Sequence, residues 1–226
     1  MHMKKKNILL VGASSSSAIS LVEKYGNVYN FICLSRDSKH SIVENFDLND
    51  DSTYYSGTTK YDGLVYFPGT INLNQFSRLK IDDFYKDFDI NVMGFIRVLK
   101  YYMSYLNEGS SIVLFSTVAS KIGMPFHSSV SIVKSSIDGL CKSLAAEFAP
   151  KHRVNCISPS LFESKMSQRF LRSEAGANKI KEKNPLKKIG SSEDISNLVA
   201  FLISDESKWI TGQNISVDGG MSSLKI

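Results

Sequence analysis

The sequence lacks the features that mark several common classes of protein. No apolar run in its 226 residues approaches the roughly 20 residues that cross a bilayer, so we expect no membrane partner. The basic start, MHMKKKNILLVGA, is followed by no cleavage pattern, so we expect no signal peptide. Internal repeats and linker segments are missing as well. These absences favour one cytoplasmic domain, and 42% hydrophobic residues suffice for one sizeable core.

Cysteine is scarce. The chain has three, Cys33, Cys141 and Cys156, and all three lie in apolar segments. An odd number of cysteines in such segments indicates reduced, buried thiols. No paired spacing suggests metal ligands, so we expect no metal site.

The net charge of +5 is modest. It suits an anionic ligand but does not require nucleic acid. Basic residues interleaved with aromatic ones, as single-strand binders use, are missing, so we expect no nucleic-acid partner.

The richest stretch is residues 111–140. It opens with Ile112 to Phe115, an apolar run whose length and branched residues predict a buried strand. Thr117 follows at the carboxyl end, where parallel sheets bind their ligands. A helical pattern comes next and carries Lys134. A hydroxyl at a strand tip and a lysine on the next helix can meet at the sheet edge.

A second such unit begins the chain. Asn7 to Val11 predicts a buried strand, and a helix is predicted to run on through Tyr25. Small residues connect the two. They let a pyrophosphate approach the backbone at the helix N-terminus, although a serine-rich helix cap explains the same residues. The candidate contacts are Gly12, Ser14, Ser15, Ser17 and Ile19.

The next predicted strand, Phe31 to Leu34, ends in Ser35 and Arg36. Enzymes that use NAD often carry an acid at this tip to bind the ribose hydroxyls, and Ser35 offers none. Arg36 can pair with a 2′-phosphate instead. This favours NADP, with NAD as the alternative. An ordinary exposed arginine is the other interpretation of Arg36.

From Asn7 to Gly220 the chain resembles the short-chain dehydrogenases/reductases. The similarity is carried by Lys134 with the following SSIDGLCKSLAAEFAP, by NVMG around Asn91, by PSLFESKM from Pro159, and by VDGG near the carboxyl end. It implies an α/β fold, a doubly wound parallel sheet of about seven strands in three layers. A homodimer or homotetramer is also implied.

The resemblance assigns catalytic positions. It implies that Thr117 binds the substrate carbonyl, that Lys134 supplies charge, and that Asn91 holds a water through its backbone. The family's tyrosine, four residues before the lysine, falls on Val130, which cannot transfer a proton. The resemblance also implies cofactor contacts from Lys134 itself and from Asp47, Leu48, Pro68, Gly69, Pro159, Phe162 and Ser164.

Two glycine positions of the family's first loop are occupied by Ser16 and Ala18. An alternative register pairs Gly12 with Ala18-Ile19-Ser20, similar to the enoyl-thioester reductase branch. In that branch the tyrosine precedes its lysine by seven residues, where this chain has His127. His127 is therefore a candidate proton donor, since an imidazole can be protonated near neutral pH. A loop histidine without a role is the competing interpretation.

Residues of about 160–190 are expected to form a substrate lid. The stretch is rich in lysine and arginine, and a basic lid would attract an acidic small-molecule substrate. A solvated charged helix accounts for the same composition. The leading hypothesis is an atypical carbonyl or enoyl reductase that uses NADP(H). The alternatives are a non-catalytic protein that binds a dinucleotide or a catalytic partner, and a scaffold without cofactor.

Overall fold

Seven parallel strands form one sheet in a computed structural model that describes residues 5–36, 43–55 and 57–225. The strands are β1 (Asn7–Val11), β2 (Asn30–Ser35), β3 (Val43–Asn45), β4 (Tyr61–Tyr66), β5 (Leu106–Phe115), β6 (Arg153–Pro159) and β7 (Asn214–Val217). Their spatial order is β3-β2-β1-β4-β5-β6-β7. The chain winds outward from β1 in both directions, so the predicted doubly wound fold is confirmed.

Helices cover both faces of this sheet. They are α1 (Ser16–Tyr25), α2 (Ile81–Phe88), α3 (Gly94–Tyr102), α4 (Ser128–Phe148), α5 (Gln168–Leu171), α6 (Glu174–Lys183) and α7 (Ser192–Ile203). None of the helices among the described residues combines the length and the hydropathy that a membrane crossing needs.

Alternation along the strands divides the core into two clusters. In β1, Leu9 and Val11 face α3 and α4, whereas Ile8 and Leu10 face α1 and α7. Successive side chains of a strand point to opposite faces, so a strand covered on both sides must be apolar throughout. This is why NILLV reads as an unbroken apolar run.

An apolar stripe of Phe84, Phe88, Val92, Phe95, Ile96 and Leu99 predicts one long helix from Asp82 to Leu106. The structure shows this helix interrupted. A π-helical turn, Asp89–Met93, joins α2 to α3, and Leu106 already belongs to β5. Such single π turns occur often at functional sites. This one contains Asn91, whose side chain is 1% exposed.

The three cysteines are free and buried, as predicted. Burial raises the pKa of Cys33 to about 11 and that of Cys141 to about 12. Thiols with such pKa values carry almost no thiolate at neutral pH and are poor nucleophiles. Cys33 and Cys141 are therefore poor candidates for a catalytic nucleophile.

Candidate functional site

The turn between β1 and α1 requires a glycine. Gly12 has a φ of 76°, and a Cβ added to it would lie 2.8 Å from Cδ of Pro68, beyond the end of β4. Any larger residue would be strained by its backbone and would collide with the proline ring. The contact brings two predicted cofactor residues together at the carboxyl edge of the sheet.

The serines after Gly12 form the start of α1. Ser15 caps the helix by accepting a hydrogen bond from the Ala18 amide, at 3.2 Å. The amides of Ser16 and Ser17 donate to no acceptor among the described residues. Unpaired amides at the positive end of a helix suit a phosphate. Ile19 is half-buried in the second turn and Ser17 is buried.

The tip of β2 lies beside the same turn. The buried Ser35 hydroxyl donates to Oγ of Ser14 at 2.9 Å, which fixes the first serine of the loop. Arg36 follows with an exposed side chain. The guanidinium can therefore reach a ligand at the tip of β2 without first leaving a buried position.

Lys134 is the most constrained charged group of the site. Its side chain projects from α4 to the end of β5, is 9% exposed, and donates from Nζ to the carbonyl of Phe115 at 2.9 Å. Burial lowers the pKa of Lys134 to about 8, against the opposing effect of Cys156, Asp138 and Asp87. A buried ammonium loses hydration, which favours the neutral amine.

Thr117 lies at the tip of β5, as predicted. It is half-buried, accepts weakly from the Ala119 amide at 3.4 Å, and lies 3.5 Å from the carbonyl oxygen of Pro159 at the end of β6. Because the bond to Pro159 is at the limit of hydrogen-bond length, the hydroxyl is available for a better acceptor.

Asn91 and Gly69 complete this edge. The Asn91 amide donates to Oγ1 of Thr70 at 2.9 Å and to the carbonyl of Asp87 at 2.8 Å, while its Oδ1 is buried with no donor among the described residues. A Cβ added to Gly69 would lie 3.1 Å from that oxygen and 3.4 Å from Nζ of Lys134. Gly69 therefore keeps the space between an unsatisfied acceptor and the lysine open.

Sequence reasoning missed Asp87. Its carboxylate is 3% exposed and accepts hydrogen bonds from the hydroxyls of Thr70 and Ser129. Ser129 immediately precedes Val130 on α4, and Thr70 follows Gly69. Asp87 lies four residues before Asn91, but that spacing alone does not show that an acid in an amphipathic helix is buried against Ser129. The carboxylate places a buried negative charge close to Lys134.

The other predicted cofactor residues lie around this edge. Oδ1 of Asp47 accepts from the Asn49 amide at 3.0 Å, and Leu48 packs against the core beside α3. Pro159 ends β6, and beyond it the hydroxyl of the buried Ser167 donates to the Phe162 carbonyl and accepts from the Ser164 amide. The bonds of Ser167 give this short segment a defined conformation.

Two positions bear on the missing phenol. Val130 is 4% exposed, so its side chain is buried beneath α4 and does not reach solvent. His127 lies one residue before α4, is half-buried, and its Nδ1 is 2.7 Å from the Pro125 carbonyl. His127 is hydrogen-bonded to none of Thr117, Lys134 and Asn91. Its role as proton donor stays a prediction.

The segment predicted as a lid contains α5 and α6. It contacts the first turn directly, since the Lys165 amide donates to Oγ of Ser16 at 3.2 Å. Ser16 occupies a position where the resemblance leads one to expect glycine. Its hydroxyl therefore joins the start of the lid segment to the start of α1.

These residues fit a dinucleotide. The glycine turn carries no side chain that could block the backbone, and the unpaired amides at the start of α1 and the orphaned Oδ1 of Asn91 leave polar groups unsatisfied along the same sheet edge. Within the described ranges no three His, Cys, Asp or Glu residues gather in a way that could hold a metal ion.

Comparison with known proteins agrees with this geometry. Residues 53–222 match a family model described as enoyl-(acyl carrier protein) reductase. Among curated proteins, the chain is 35% identical over 138 residues to tropinone reductase-like 3 of Erythroxylum coca. That match covers 61% of this chain and 54% of the relative, so the chain spans about half the length of that protein.

Two solved structures bind nicotinamide cofactors. A 4-hydroxyisoleucine dehydrogenase in complex with NADH has a TM-score of 0.85 and 25% identity, covering 98% of this chain and 100% of that one. ElxO with NADP bound has a TM-score of 0.83 and 23% identity over the same shares, which is a likeness of fold.

Asp87→Asn tests the electrostatics of the site. Asp87 raises the pKa of Lys134 against burial, so removing its charge should move that pKa below about 8. Competitive acetylation of Lys134 at a series of pH values, read by peptide mass spectrometry, gives the pKa in each variant. Asp82→Asn, an exposed acid on the same helix, is the matched control and should change nothing. An unchanged pKa in Asp87→Asn would contradict the assignment.

Proposed function

We propose that this chain, which belongs to the short-chain dehydrogenase/reductase family, reduces a carbonyl or a conjugated enoyl group of a small molecule with NADP(H). The observation that carries the proposal is the buried Lys134 amine, which lies across Gly69 from Asn91 and bonds to the Phe115 carbonyl, two residues before Thr117 at the same sheet edge. A buried lysine with a lowered pKa has no packing role that an apolar residue could not fill better.

The cofactor, when bound, supplies the hydride. The chain's own residues would hold it through the Gly12 turn, the amides at the start of α1, and Asp47 with Leu48 beside the adenine position. Arg36 supports NADP, because an exposed guanidinium at the tip of β2 suits a phosphate better than a ribose hydroxyl. NADH is bound by one structural neighbour and NADP by another, so the fold accommodates both.

Reduction builds negative charge on the substrate oxygen. The Thr117 hydroxyl can donate a hydrogen bond to that oxygen, and the nearby Lys134 ammonium favours the charge. One of the three N–H groups of Lys134 bonds to Phe115, which leaves two for other acceptors. With Val130 in place of a phenol, we assign the final proton transfer to Lys134, whose pKa of about 8 suits an acid near neutral pH.

His127 is the second candidate donor. It precedes Lys134 by seven residues, and the matching family model carries an enoyl reductase description, in which branch a tyrosine has that spacing. The imidazole is half-buried and lies in a surface cleft. A donor at this point would act on a substrate that extends outward from the sheet edge.

A non-catalytic protein that binds the dinucleotide is the alternative function. The buried Val130 supports it, because the position that normally carries the phenol presents only methyl groups. The Asp87 cluster argues the other way. A buried carboxylate held by two hydroxyls beside a buried amine is costly to maintain without a use.

Exposed apolar side chains on α2 and α4 support a homodimer or homotetramer. Ile81 and Tyr85 on α2 are 69% and 70% exposed, and Ile132 on α4 is 55% exposed. Apolar groups on two neighbouring helices are typical of a surface that self-associates.

Ile132→Glu tests this surface. A charge there should dissociate the assembly, because an unpaired carboxylate is costly to bury. Sedimentation velocity measures the result. Val28→Glu, exposed elsewhere, is the control and should leave the assembly intact. Unchanged association in Ile132→Glu would rule out α4 as the interface.

Fluorescence titration tests the cofactor. We expect NADPH to bind at micromolar concentration and more tightly than NADH. Arg36→Ala should weaken NADPH roughly tenfold or more, as expected for loss of a charge-assisted contact, with little change for NADH. Lys142→Ala removes an exposed charge on α4 and serves as the control. Failure of both cofactors to bind at millimolar concentration would refute the proposal.

NADPH oxidation on a panel of ketones, aldehydes and enoyl thioesters tests the chemistry. Reduction needs the protonated amine, so its rate should fall as pH rises through about 8. Lys134→Gln should abolish turnover, and Thr117→Val should reduce it roughly 100-fold, the usual effect of an oxyanion donor.

The remaining variants separate the alternatives. If turnover is lost in His127→Ala while the natural protein keeps its rate above pH 8, the proton donor is His127 and not Lys134. Activity that appears only in Val130→Tyr would favour the non-catalytic protein, with the missing phenol as its defect. Full activity in Lys134→Gln would contradict the mechanism.

A further inference from the structure

A cleft of about 370 Å³ opens where three segments meet. The segment after β4 contributes Leu73 and Arg78, the segment before α4 contributes Phe126 and His127, and α5 contributes Phe170. The segments after β4 and β5 both leave the carboxyl edge of the sheet. The cleft is therefore formed by the same loops that carry Gly69 and Thr117.

Phe126 holds an unfavourable backbone conformation in this cleft. Its φ is 69°, in the left-handed region that aromatic residues rarely adopt, and the residue is 55% exposed. The strain is maintained by neighbours, since the Asn74 amide donates to the Phe126 carbonyl at 3.2 Å. The free energy gained by burying Phe126 does not offset this backbone strain, because more than half of the residue is exposed to solvent. Strain of this kind clusters at sites that contact ligands.

Among the described residues that line the cleft, Arg78 is the one charged side chain, and it is a cation. Arg78 is exposed and forms no ion pair or side-chain hydrogen bond with any described residue. His127 lies beside it, and the Arg169 guanidinium stacks over the Phe170 ring at 4.6 Å from its centroid. None of the described residues that line the cleft is acidic.

Arg169 is fixed in place by a second contact. It donates to the carbonyl of Ile71 at 2.9 Å, which joins α5 to the segment after β4. The bond holds the Phe170 ring against one side of the cleft while Phe126 forms another. Two aromatic rings and a free guanidinium thus surround one opening.

We propose that this cleft binds an amphipathic small anion, with Arg78 pairing to its carboxylate, sulfonate or phosphate and the rings of Phe126 and Phe170 contacting its apolar part. As a statement about substrate, this rests on the proposed reductase function. The cleft would then select substrates whose reducible group is joined to an apolar body with an acidic end. Exposed aromatic faces and an unpaired arginine are the usual means of such recognition.

Anilinonaphthalene sulfonate is the probe, and phenylnaphthylamine is its uncharged counterpart. In fluorescence titrations, Arg78→Gln should weaken the sulfonate roughly tenfold, the size of one charge-assisted contact, and leave the uncharged probe within about twofold. Lys100→Gln removes an exposed cation on α3, outside both the cleft and the lid segment, and should change neither affinity.

Phe126→Gly separates a binding role from a structural one. Glycine tolerates the positive φ, so the thermal midpoint should rise while the affinity for both probes falls. A residue kept for stability alone would give the opposite sign in the midpoint and no change in binding. Unchanged sulfonate affinity in Arg78→Gln, a lowered midpoint in Phe126→Gly, or no binding of the sulfonate to the natural protein would each overturn the proposal.

NADPH titration of the same variants keeps the two proposals apart. Cofactor affinity should be unchanged in Arg78→Gln and Phe126→Gly. If NADPH fails to bind while the sulfonate depends on Arg78, the reductase function is wrong and the anion cleft stands. If NADPH binds while the affinity for the sulfonate is unchanged in Arg78→Gln, the anion-cleft proposal is wrong and the reductase function stands.

Discussion

The burial of one ammonium group governs the arrangement of the site. Lys134 lies with its stem in the core beneath the sheet edge, where charge is poorly hydrated. One carbonyl bond and nearby carboxylates offset part of that cost. Asp87 in turn requires the hydroxyls of Thr70 and Ser129, because a buried carboxylate needs donors of its own. The polar residues between α2 and α4 thus follow from a single buried charge.

The need for open space beside the buried charge explains the small residues at the carboxyl edge of the sheet. Gly12 lies against Pro68, and Gly69 lies between Lys134 and Asn91. Side chains at either glycine would fill the space that a ligand's sugar or phosphate needs. The two glycines therefore leave space for a ligand, and the buried Lys134 supplies the charge that attracts it.

Most of the fold could be predicted from local patterns. The runs Ile8 to Val11 and Ile112 to Leu114 are buried and lie in strands covered on both faces, so their apolar character is visible without knowing their neighbours. The end of the long helix could not be predicted. The sequence continues in residues that suit a helix as well as a strand, and pairing with β4 makes Leu106 part of β5.

The site was predictable where a side chain acts by its own type, as with Thr117 and Lys134. It was not predictable where burial depends on distant partners. Asp87 is an acid in an amphipathic helix and would ordinarily face water; a serine 42 residues later in the chain makes it part of the core. Phe126 is similar, since its strained conformation depends on the amide of Asn74.

The packing of α7 on α1 has a consequence for how the chain acquires its structure. The face of β1 that carries Ile8 and Leu10 is covered in part by Val199 and Leu202, from the far end of the sequence. A ribosome must therefore synthesise the chain at least through Leu202 before β1 can be shielded on both faces. Until then, the first strand exposes apolar surface. Because the contacts between β1 and α7 join residues far apart in sequence, we expect this part of the core to form slowly and late in folding.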